Sequence, residues 1–98
     1  MDTGLVIKKQ YVRKHLFMMV VEQLLDDYRK EGYEIKTQYP ISETWRADLF
    51  AVRGEERIVI ELVYGRIHSD ALTQLKQMAN AEGLTLKVID VSKVTFEQ

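Results

Sequence analysis

The sequence predicts an α/β fold built in the order helix, three-stranded antiparallel meander, helix, strand, so that a mixed sheet is flanked by helices. Three observations carry that expectation. Apolar residues recur at three- and four-residue intervals over one long stretch near the start, the mark of an amphipathic helix. Two extended runs then flank Arg53-Gly54-Glu55-Glu56, whose glycine suits a tight hairpin. A strand, a shorter helical stretch and another strand follow, an order that permits parallel pairing through a crossover.

Each element has its own signal. From Lys9 to Glu31 the apolar positions are Val12, Leu16, Phe17, Val20, Val21, Leu24, Leu25 and Tyr28, and Gly32 is a stop signal. Tyr33 to Tyr39 reads Y-E-I-K-T-Q-Y, a half-buried strand that should turn at Pro40, the only proline. Thr44 to Val52 and Arg57 to Tyr64 form the antiparallel pair, closed by Gly65. Ser69 or Asp70 can cap a second helix carrying Ala71, Leu72, Leu75, Met78 and Ala79 and ending at Gly83. Leu84 to Val91 is a β-branched run suited to an inner strand.

Composition narrows the chemistry. The 98 residues, 46% hydrophobic and 30% charged, are expected to form a single domain over 1–98. Without cysteine there are no disulfides, thiolate zinc sites or cysteine nucleophiles. The longest apolar run, Leu16 to Val21, is far short of the roughly 20 residues of a membrane span. Met1–Asp2 does not open a signal peptide, so a soluble, cytoplasmic protein with no membrane partner is expected.

The net charge of -1 creates no overall pull toward polyanions, but local patches matter more than the sum. Lys8, Lys9, Arg13 and Lys14 sum to +4, and no acid lies between Asp2 and Glu22. Cations at a helix start oppose its dipole at about 0.3–1 kcal/mol each. That cost hints at a use such as phosphate contact, against the plainer reading of a solvated helix start. Trp45 and Tyr64 suit half-buried strand aromatics better than base-stacking platforms. His68, Ser69 and Asp70 are sequence neighbours and so a poor catalytic trio. Met18 and Met19 are core filler or an interface patch.

Two carboxylates stand out. Alternation puts Arg46, Asp48, Phe50 and Val52 on one face of a strand, and Arg57, Val59, Glu61 and Val63 on one face of the next. Asp48 lies between Ala47 and Leu49, and Glu61 between Ile60 and Leu62. A buried carboxylate needs a partner, a metal or a shifted pKa. Asp48 could simply pair with Arg46 or Arg57. If the hairpin register sets the two acids side by side, they repel unless a cation sits between them, and hard oxygen ligands suit Mg²⁺ or Mn²⁺.

W-R-A-D-L-F-A-V, a turn, then I-V-I-E-L-V resembles the PD-(D/E)XK nuclease superfamily, which includes restriction endonucleases and archaeal Holliday-junction resolvases. The resemblance extends to element order over nearly the whole chain. It implies a restriction endonuclease-like core in which Asp48 and Glu61 hold Mg²⁺ or Mn²⁺ for DNA phosphodiester hydrolysis. It also implies that Gln74 approaches the metal from the second helix and that Glu22 adds an acid from the first. The family's motif lysine would stand at position 63, where this chain has valine. Ala47 replaces the usual proline. Lys76 and Arg66 are candidate replacements for the lysine's cation. At about 100° per residue Lys76 and Gln74 sit about 200° apart, so only one readily faces the acids.

Three readings follow. The chain is a metal-dependent DNA endonuclease, working as a homodimer because so small a core has little surface for a duplex; or a catalytically degenerate DNA-binding relative; or a non-enzymatic α/β interaction module. In the first two, Lys8, Lys9, Arg13 and Lys14 contact the nucleic acid.

Overall fold

In the computed structural model the described residues are 4–97, and the Met1–Asp2 start lies outside them. The elements are α1 (Lys9–Lys30), β1 (Glu34–Pro40), β2 (Arg46–Arg53), β3 (Glu56–Val63), α2 (Ser69–Ala81) and β4 (Thr85–Asp90), followed by a 3₁₀ turn over Val91–Lys93. The strands lie in the order β1-β2-β3-β4. The first three are antiparallel and β4 runs parallel to β3. This is the predicted mixed sheet flanked by helices. No helix among the described residues is long and apolar enough to cross a membrane.

The turn between β2 and β3 has Arg53 paired with Glu56 and Gly54 at φ +59°. A positive φ at the first of two loop residues is the type II′ pattern, whose twist matches antiparallel strands. The sheet then separates two cores. On one face Tyr33, Ile35, Leu49, Ala51, Ile58 and Ile60 pack under Val21, Leu24, Leu25 and Tyr28 of α1. On the other, Trp45, Ala47, Val59 and Ala79 pack with Leu75 and Met78 of α2. Leu49, Val59 and Ile60 are fully buried, each contributing about 1.5–3 kcal/mol of apolar transfer.

Several local expectations need correction. The run read as an inner strand, β4, lies at the sheet edge, because it pairs only with β3. The inner strands are β2 and β3, whose backbones pair on both sides. Pro40 ends β1 instead of following it, which an edge strand tolerates because proline's missing donor is not needed there. The cap of α2 is His68, whose Nδ1 accepts from the Asp70 N–H at 3.3 Å. That bond assigns His68 and Asp70 a helix-start role. Met18 and Met19 are exposed, so they do not fill the core.

Candidate metal centre and its surroundings

The β2–β3 register runs as far as Leu49 opposite Ile60; Asp48 and Glu61 are the next residue on each strand, and their carboxyls interact there. Glu61 lies on the α2 side, where its partner Trp45 packs with Val59 and Phe50. Neither arginine proposed as a partner serves Asp48. Arg46 Nη1 donates to the Gln38 carbonyl at 2.8 Å, and Arg57 Nη2 donates to the Glu82 carbonyl at 2.9 Å. Asp48 instead accepts the Leu62 backbone N–H on Oδ2 at 2.8 Å. Its Oδ1 faces Gln38 Nε2 at 3.4 Å, at the outer edge of hydrogen-bonding range.

Glu61 is held by Trp45. The indole packs in the α2-side core and its Nε1–H donates to Glu61 Oε1 at 2.9 Å. The Glu61 carboxyl is pushed up to about 7. Burial is the first cause, and the charge of Asp48 and a hydrogen bond with its carboxyl add to it. The Trp45 N–H and the Asp48 backbone oppose the shift by favouring the ionised form. Two acids therefore share one site, and among the described residues no ion pair joins a cationic side chain to either.

The site lies toward the carboxyl end of β3. Beyond it, the Gly65 N–H donates to Asp90 Oδ1 at 2.8 Å, tying the ends of β3 and β4 together. Tyr64 sits here, and the Arg13 guanidinium stacks over its ring at 4.4 Å. That contact brings the first turns of α1 to the same end of the sheet as the acids. Lys8, Lys9 and Lys14 are exposed on those turns.

Other candidates are not joined to the pair. Glu22 is exposed on α1, the helix covering the opposite sheet face. Among the described residues no three His, Cys, Asp or Glu side chains form a group that could hold a metal ion. Gln74 and Lys76 are both exposed on α2, whose packed side carries Leu75, Met78 and Ala79. No hydrogen bond or ion pair among the described residues links either one, or the exposed Arg66, to Asp48 or Glu61. Val63, two residues beyond Glu61 on the same face, leaves the lysine position apolar.

Two donors escaped sequence reasoning. Trp45 carried a usable signal, since a buried indole N–H usually finds an acceptor and Glu61 is the acid on the facing strand. Gln38 carried none, because its role depends on a backbone conformation that alternation does not predict. The donor set of two carboxylates fits Mg²⁺ or Mn²⁺, which commonly take one or two protein carboxylates and complete their shell with water and phosphate. Comparison with protein-family models, with curated proteins and with solved structures finds no match to this chain.

Proposed function

We propose that this chain is a divalent-cation-dependent nucleic-acid-binding domain of PD-(D/E)XK type in which the cation site persists and hydrolysis is weak. The observation that carries the reading is the Asp48–Glu61 pair, two interacting and partly buried carboxyls on neighbouring strands, with no ion pair among the described residues joining a cationic side chain to either one. A divalent ion would neutralise that pair and offer its remaining positions to a phosphate. The basic turns of α1 lie at the same end of the sheet through the Arg13–Tyr64 contact, where they would meet the flanking backbone phosphates. Val63 supports weak chemistry, because valine can neither orient a water nor offset developing negative charge. DNA is the proposed partner and the cell interior the proposed site of action.

A homodimer is favoured by a separate observation. Met19 and Phe96 are large apolar side chains left exposed along one groove between α1 and the residues after β4, and contiguous exposed apolar surface commonly marks interfaces.

The deciding experiment is calorimetric titration of Mn²⁺ into the wild type and into Asp48→Ala/Glu61→Ala. Saturable binding weakened about 100-fold or more in the double variant is expected, a loss at or beyond the upper end for support residues around a metal. Binding that is absent from folded wild type, or equal in both proteins, sinks the reading. In parallel, DNA affinity should fall with added salt and on replacing Lys8, Lys9, Arg13 and Lys14 together.

A further inference from the structure

Gln38 has the only left-handed backbone among the described non-glycine residues, at φ +49°. Such a conformation is costly for a residue with a Cβ, persists only when its surroundings hold it, and concentrates at functional sites. Here the holding contacts are visible. The Gln38 carbonyl accepts from Arg46 Nη1 at 2.8 Å. On either side the ladder is regular, with Thr37 opposite Leu49 and Tyr39 opposite Ala47, while Gln38 opposite Asp48 drops out of the pairing.

The break has two effects on side chains. Ile35 packs on the α1 face of the sheet, and strict alternation would send Tyr39 there too. Instead Tyr39 stacks on Phe50, a side chain of the α2 face, with ring centroids 4.8 Å apart. The Gln38 amide meanwhile sits against Asp48, with Nε2 3.4 Å from Oδ1. The nitrogen faces the carboxylate, since an amide oxygen there would be repelled. Asp48 is thus held from two sides, by the Leu62 N–H on one oxygen and by Gln38 on the other.

We infer that Gln38 is a positioning residue for the acid pair, its left-handed backbone retained because it delivers a side-chain amide to Asp48 across the break in the β1–β2 ladder. The inference deepens the proposed cation site and rests on that reading for its use, though not for its geometry. A glycine at this position would relax the backbone and abolish the amide. A residue kept for stability and one kept for the site therefore respond in opposite ways.

The test compares the wild type, Gln38→Gly and Gln38→Ala by thermal unfolding, by hydrogen exchange of the Leu62 amide, and by Mn²⁺ titration. Because Gln38 is exposed, all three proteins should fold. The expected result is an unchanged or raised Tm for Gln38→Gly, a lower one for Gln38→Ala, and in both variants about three- to tenfold faster Leu62 exchange, the scale of one modest hydrogen bond. Mn²⁺ affinity should fall by a similar factor. Unchanged Leu62 exchange overturns the inference. So does a lowered Tm in Gln38→Gly with faster exchange throughout β2 and β3, which marks a merely structural residue. Faster Leu62 exchange with no Mn²⁺ binding by wild type keeps the positioning role and removes the metal reading, so the two fail separately.

Discussion

Two glutamates on the same strand behave in opposite ways. Glu56, at the hairpin end of β3, accepts from the Tyr33 hydroxyl and from Arg53 Nη2, the latter at 3.2 Å. Arg53 also stacks over the Tyr33 ring at 4.3 Å and donates to the Glu31 carbonyl at 2.8 Å. The Tyr33 bond first, then Arg53, holds the Glu56 carboxyl below its ordinary value. Glu61, toward the other end, meets burial and a second carboxylate and is pushed up to about 7. The hairpin end completes its charge balance from within the chain, whereas the far end sets two carboxyls against each other. The two shifts run in opposite directions because one glutamate meets donors, while the other meets burial and a second carboxylate.

The sharpest way to break this contrast is to give the far end its own cation. Val63→Lys puts an ammonium two residues from Glu61 on the same face, and Asp90 across β4 is already engaged by Gly65 and Ser92. The Glu61 carboxyl should return toward the usual range, read by carboxyl NMR titration. Mg²⁺-dependent DNA cleavage should rise on the order of 10²-fold, by analogy with restoring one preorganised donor. A folded variant with neither change would show that position 63 does not address the pair.

Next in size is the pH dependence of stability. A carboxyl raised above its unfolded value contributes stability at acid pH that is lost as pH rises from the usual carboxylate range through about 7. Allowing for a side chain only half buried, wild type should lose about 1–2 kcal/mol of unfolding free energy between pH 5 and pH 8. Glu61→Gln removes the titrating group, and its urea profile should be flatter over that interval. Equal slopes would place the burden of the pair elsewhere.

Trp45→Phe tests the opposing influence. Ring burial is largely kept but the N–H that favours ionised Glu61 is lost, so Glu61 should titrate higher still. The variant should be destabilised about 1 kcal/mol more at pH 8 than at pH 5, because only the ionised acceptor loses a charge-assisted bond. Loss of packing alone would be the same at both pH values.

The acid pair was legible because it depends on two robust regularities. Period-two alternation singles out Asp48 and Glu61 as acids within apolar strands, and the Gly54 turn sets the register as far as Leu49 opposite Ile60, one residue short of each acid. The rest depends on tertiary choices. That β4 lies at an edge follows from the lack of a further pairing strand among the described residues, which its β-branched composition does not report. The His68 cap displaced Ser69 and Asp70 because the helix begins one residue earlier than a conventional cap would set it. Gln38 was invisible because a left-handed residue inside a strand violates the alternation from which strands are read. For Gln74 and Lys76, helical spacing gives an angle between side chains but not the roll of the helix on the sheet.

The smallest effect is expected at the structural end. A carboxyl lowered below its unfolded value contributes stability present above the usual carboxylate range and lost as pH falls through its folded value. Its sign is therefore opposite to that of Glu61. Glu56→Gln should leave wild type the more stable at pH 7, with the gap closing toward pH 3, measured as the difference in urea midpoints. Because the Arg53 and Glu56 side chains are 45% and 55% exposed, salt should also narrow the gap at pH 7. A gap that widened on acidification would mean that Glu56 too is held against its charge, and the two ends of β3 would no longer differ in kind.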